Sequence, residues 1–175
     1  METNYLKFRK ATIADLSACW AIIENAIAKR KAEGSEQWQD GYPNLTVLQS
    51  DIENEYGYVA ENPQGKCIAY IALIADGDEA YENIDGQWLT NTPYLVVHRL
   101  AVHQDHKIKG LAEWMMKNAE QVALQQNRKS IKIDTNFDNA PMLHIISKLG
   151  YQYCGEVKMR DGARKAFEKV ISEAS

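Results

Sequence analysis

Residues 94–135 constrain the fold most strongly. An apolar run from Tyr94 to Val102 reads as a strand. Leu111, Trp114, Met115, Ala119 and Val122 then recur on one face of a helix, and Ser130 to Thr135 alternates Ile131 and Ile133 with Lys132 and Asp134, the period of a second strand. Strand, crossover helix and strand form a βαβ unit, whose two strands must run parallel. The link from first strand to helix is short and basic: His103-Gln104-Asp105-His106-Lys107-Ile108-Lys109-Gly110-Leu111-Ala112. A helix that opens this way offers unpaired backbone N–H groups and the positive end of its dipole to an anion. Lys107 and Lys109 add charge. Read physically, the junction is a cradle for phosphate or pyrophosphate.

The rest of the chain supplies a sheet and its cover. Thr12-Ile13-Ala14-Asp15 resembles a capping box with a shorter acid, and Leu16, Trp20, Ile23 and Ile27 predict the buried stripe of a first helix. The segment from Gly34 to Asn44 breaks the pattern and carries Trp38, Tyr42 and Pro43; a short helix is expected from Thr46 to Glu55. Tyr58-Val59-Ala60 and Cys67 to Ile74 flank the turn Asn62-Pro63-Gln64-Gly65 and read as an antiparallel hairpin. The second of these runs is almost wholly apolar, as a strand covered on both faces would be. An acidic loop, Asp76 to Thr92, leads to Tyr94. A helix from about Ala140 to Leu149 has Asn139 to cap it, Pro141 in its first turn and Gly150 at its end. Tyr151 to Val157 and Ala163 to Ile171 read as closing strands. The expected architecture is one domain over residues 1–175, an α/β (α+β) mixed sheet with helices on its faces.

Composition excludes several classes. At 175 residues with a net charge of −4, the chain lacks the basic face that nucleic acid demands. No apolar run approaches the ~20 residues of a membrane span. Glu2, Lys7, Arg9 and Lys10 interrupt any signal-peptide core, and Cys19, Cys67 and Cys154 form no CxxC pair, so reduced thiols and a cytoplasmic location are expected. His98, His103 and His106 have no thiolate or compact carboxylate set to complete a shell, so no metal is expected.

The order of elements resembles the GNAT superfamily of N-acetyltransferases over nearly the whole chain. The family signature, Gln/Arg-x-x-Gly-x-Gly/Ala, is matched by Lys107-Ile108-Lys109-Gly110-Leu111-Ala112, preceded by Arg99-Leu100-Ala101-Val102-His103. A second pattern, an asparagine and then a helix ending in Lys-x-Gly-aromatic, is matched by Asn139, Lys148, Gly150 and Tyr151. The resemblance implies a central, mostly antiparallel sheet whose parallel pair splays apart to admit acetyl-CoA. Main-chain groups of Leu100, Ala101 and Val102 would bind the pantetheine arm. Those from Lys107 to Ala112 would hold the pyrophosphate, and Asn139 would complete the cofactor site. Gly110 and the small Ala112 let the backbone come close. Lys107 keeps the charge of the usual arginine but loses its planar fork. Ile108 stands where many members have a further glycine. Many members also place an acid tyrosine seven residues after the asparagine; here that residue is Ile146.

The implied activity is transfer of an acetyl group to a primary amine of a small molecule or peptide. A lysine-like amine must first lose a proton, at a cost of roughly 4–5 kcal/mol at pH 7, whereas a thiolate with pKa ~8.5 leaves readily. His98, on the strand beside the thioester, is the candidate base; its other reading is a histidine hydrogen-bonded in the sheet. Trp38 and Tyr42 lie in the segment that flanks the acceptor in this family, and read either as acceptor contacts or as loop packing. Asp76, Asp78, Glu79, Glu82 and Asp85 suit either a cationic acceptor or plain solvation. Many members dimerise, and the closing strands leave a homodimer open. The alternative to an enzyme is a non-catalytic sensor that binds CoA or acetyl-CoA, or an interaction protein on the same fold.

Overall fold

The computed structural model describes residues 2–75, 78–106 and 108–172. Its elements are strand β1 (Lys7–Lys10), helices α1 (Leu16–Ala32) and α2 (Leu45–Glu53), strands β2 (Gly57–Glu61) and β3 (Cys67–Ala75), helix α3 (Glu79–Glu82), strands β4 (Asp85–Gly86) and β5 (Leu95–Val102), helix α4 (Leu111–Gln125), strand β6 (Ser130–Thr135), helix α5 (Ala140–Lys148), and strands β7 (Gln152–Met159) and β8 (Gly162–Val170). The strands make one mixed sheet in the order β1-β2-β3-β5-β6-β8-β7-β4. By contact density the described residues fall into two compact units. One draws on Met1–Leu73 and His98–Asn118, the other on Ile74–Val97 and Ala119–Ser175. Strand β5 and helix α4 each begin in one unit and end in the other.

In the first unit, β1, β2 and β3 pair antiparallel. Before α1, the Thr12 N–H donates to Asp15 Oδ2 at 2.7 Å, the reciprocal half of a capping box. Asp15 also takes Arg9 at 2.8 Å, and that guanidinium is the main cause of a carboxyl held well below its usual range. Helix α1 buries Cys19, Ile22, Ile23 and Ala26, while Leu16, Trp20 and Ile27 are only half-buried. Of the expected stripe, Ile23 is fully buried and the other three only in part. Apolar residues surround most of this helix, so periodicity alone singles out no face. Small Cys19 and Ala26 mark the side that packs. Phe8 stacks on Tyr58 at 5.2 Å between ring centroids and meets Trp114 of α4 edge-on at 6.0 Å.

In the second unit, β5 pairs parallel with β6, Leu95–Val97 opposite Ile131–Ile133, which is the βαβ geometry read from the sequence. Strands β6, β8, β7 and β4 continue antiparallel. Tyr81, Val96, Val157 and Ala166 form a buried cluster here. The acidic segment before β5 is not a plain loop. It contains α3, capped by Asp78, whose side chain accepts from the Ala80 N–H at 3.0 Å, and the two-residue β4. Elements this short leave no periodic trace. The alternation in β6 also misleads. Lys132 is buried, its ammonium 3.8 Å from the centroid of Tyr94 and 4.5 Å from that of Trp88. Asp134 accepts from the Tyr81 hydroxyl at 2.6 Å and from Arg164 at 3.2 Å. Charged side chains that carry their own partners look, in sequence, like a solvated face.

Candidate functional site

The site expected at the end of β5 lies within the first unit. Its last five residues, His98 to Val102, lead into the turn before α4. Arg99 has φ 55°, a left-handed backbone rare for arginine and unusual inside a strand. Ala101 is buried, while His98, Leu100 and Val102 are half-buried. The His103 N–H donates to the Ile68 carbonyl at 2.7 Å, tying the strand's end to β3. The Gln104 amide donates to the Val102 carbonyl at 3.0 Å.

The turn is built around its histidines. His103 Nδ1 accepts from the Asp105 N–H at 3.1 Å, and the His103 and His106 rings meet edge-on with centroids 4.7 Å apart. Burial, then the neighbouring His106 and Lys66, holds the His103 pKa below its ordinary value. Lys107 lies outside the described residues, Ile108 is half-buried and Lys109 is exposed. Gly110 has φ 80°, and a Cβ built on it meets no atom of the described residues within 4 Å. The backbone therefore requires glycine, and the space before it is open. Leu111 donates to the Ile108 carbonyl at 3.0 Å, and the first full helical bond runs from Trp114 to the Gly110 carbonyl at 2.9 Å. The Ala112 N–H lies in the first helical turn, where backbone donors precede the regular i to i−4 bonding. An open glycine corner, first-turn amides and a 15-residue helix behind them suit a pyrophosphate.

The other expected residues are placed as follows. Asn139, in the second unit, caps α5 by accepting from the Met142 N–H at 3.3 Å. Ile146 is fully buried. Trp38 is 7% exposed with the Arg30 guanidinium 4.1 Å from its ring centroid. Tyr42 is half-buried beside Arg99. Asp76 lies outside the described residues; Glu79 and Asp85 line a cavity of about 640 Å³ with Asn83, Glu156 and Lys158. Among the described residues, no cluster of histidines, cysteines and carboxylates could hold a metal, and no helix is long and apolar enough to cross a membrane. Burial pushes the Cys19 thiol up to about 12 and the Cys67 thiol up to about 11, so neither is a nucleophile at neutral pH.

One group was not foreseen. Arg99 and Asp51, 9% and 4% exposed, form a two-point ion pair: Nε to Oδ2 at 2.8 Å and Nη2 to Oδ1 at 2.6 Å. The Tyr70 hydroxyl donates to the same Oδ2 at 2.8 Å, and Arg99 Nη1 donates to the Tyr42 hydroxyl oxygen. Burial, then the Asp51 charge, drives the Tyr70 phenol far above its usual pKa. Burial pulls Arg99 down, but Asp51 outweighs it and leaves its pKa raised. The sequence held one signal: an arginine inside an apolar strand needs a buried partner.

A parallel strand pair joined by a helix that opens at a positive-φ glycine is the βαβ unit of an α/β protein. Residues 20–151 match the acetyltransferase (GNAT) family. A crystal structure of a GNAT-family acetyltransferase from Streptococcus agalactiae is similar over 96% of both chains, with 34% identity and a TM-score of 0.86. A ribosomal-protein-alanine N-acetyltransferase from Brucella melitensis is 18% identical over 94% of this chain and 99% of its own, with a TM-score of 0.69. An acetyltransferase from Salmonella typhimurium, solved with its cofactor acetyl-CoA, is 17% identical over 98% and 97%, with a TM-score of 0.66. No curated protein matches the chain significantly. The chain belongs to the GNAT family of acetyltransferases.

Proposed function

We propose that this chain is an acetyl-CoA-dependent N-acetyltransferase acting on a primary amine of a small molecule or peptide, by direct attack in a ternary complex. The family match runs through both units, and we read residues 1–175 as one such domain. The observation that supports the reading is the corner at Gly110, whose φ of 80° and uncrowded Cβ position stand at the start of a 15-residue helix. Acetyl-CoA would supply the acetyl group as an activated thioester. Main chain of Leu100, Ala101 and Val102 binds the pantetheine arm, and the stretch from Lys107 to Ala112 takes the pyrophosphate. Asn139 is retained as a cofactor contact on the family pattern alone.

His98 would take the proton of the acceptor nitrogen as the new C–N bond replaces the thioester C–S bond, and that proton would leave with the released thiol. No covalent enzyme intermediate is involved, in keeping with the raised thiols of Cys19 and Cys67. Burial likewise raises the thiol of Cys154. Tyr42 contributes to the acceptor pocket; Trp38 supports it from within. The second reading, a CoA-binding sensor without catalysis, is favoured by one observation: an apolar, fully buried Ile146 stands where many members carry the acid. Thiol release from acetyl-CoA, measured with spermine, a lysine peptide and a peptide beginning with alanine, separates the two. Amine-dependent release supports the transferase; stabilisation by acetyl-CoA with no release supports the sensor.

A further inference from the structure

Arg99 is costly in two ways. Its left-handed φ of 55° within a strand is strained. Its charge is buried, and buried ion pairs contribute little that a well-packed apolar group would not. Asp51 already neutralises it, using both carboxylate oxygens. The Tyr42 contact adds nothing to that neutralisation. It fixes a half-buried phenol from the stretch between α1 and α2 beside the strand residue that follows His98. Strain and buried charge at one residue, spent on orienting a partly open tyrosine, indicate function rather than stability.

We propose that Arg99 is a positioning residue that, clamped by Asp51, holds the Tyr42 hydroxyl in place to hydrogen-bond the acceptor. This rests on the transferase reading above. With its oxygen accepting from a cation, the Tyr42 O–H is polarised into a stronger donor. Asp51 and Tyr70 stiffen the guanidinium from behind, so the phenol is aimed before the acceptor arrives.

The test uses the full chain with the best amine from the panel. Tyr42→Phe leaves the ion pair intact and should raise acceptor KM about tenfold, the scale of one hydrogen bond, with acetyl-CoA Kd unchanged. Arg99→Gly suits the positive φ, and pairing it with Asp51→Asn avoids a lone buried charge. That double variant should raise acceptor KM similarly, and adding Tyr42→Phe to it should change nothing more. Guanidinium ion at low millimolar concentration should restore acceptor KM in Arg99→Gly but not once Tyr42→Phe is added. Unchanged acceptor KM in Tyr42→Phe, or losses that multiply across the variants, overturns the proposal. A wild-type chain inactive with every amine overturns the transferase reading itself, and this proposal with it.

Discussion

Gly86 of β4 and Gly155 of β7 stand opposite each other in the sheet, so close that a Cβ on either would overlap the other strand's backbone. On Gly86 it would meet the Cys154 carbonyl oxygen, and on Gly155 that of Asp85. Both have positive φ, 146° and 140°. Gly155→Ala should therefore cost ~1–3 kcal/mol through overpacking and backbone strain. Urea melts should show the loss at an unchanged m-value, and cofactor affinity of the folded fraction should be kept.

The Arg99–Asp51 pair predicts an asymmetry in stability. Asp51→Ala leaves a guanidinium buried without its counter-charge and should cost ~3–5 kcal/mol. Replacing both partners with apolar residues should recover much of that loss. Denaturant melts of the single and double variants measure it.

The depressed pKa of His103 gives a pH dependence. The folded chain binds this proton less tightly than the unfolded chain, for which the pKa is ~6.5. The associated stability is fully present above that value and is lost as pH falls through the lower folded pKa. Between pH 7.5 and 5.5 the wild-type melting midpoint should fall more than that of His103→Gln.

If His98 is the base, His98→Asn should lower kcat by about 10²-fold and remove the acidic limb of the pH–rate profile. Acetyl-CoA Kd should stay constant. A variant with an unaltered profile would return His98 to a purely structural role.

The βαβ unit was legible because an apolar run gives way, at a glycine-bearing turn, to a helical period and then to the alternation of a second strand. The hairpin around Pro63 and the cap at Asn139 were legible for local reasons too, each resting on residues a few positions apart. What stayed hidden depends on distance along the chain. Arg99 and Asp51 are 48 positions apart, and nothing local announces their pairing. Lys132 resembles a surface residue until Trp88 and Tyr94 close over it. In α1 the apolar residues spread over several faces, and only packing chooses among them.

Calorimetric or thermal-shift titration with CoA tests the central claim most directly. The claim is that the open corner at Gly110 holds the cofactor's pyrophosphate by main-chain groups. At ~100 times its Kd, CoA should stabilise the wild-type chain by about 2.7 kcal/mol. Gly110→Glu, which sets bulk and negative charge against the phosphates, should show no such shift relative to its own ligand-free form. An equal shift in both proteins, or none in the wild type, would contradict the account.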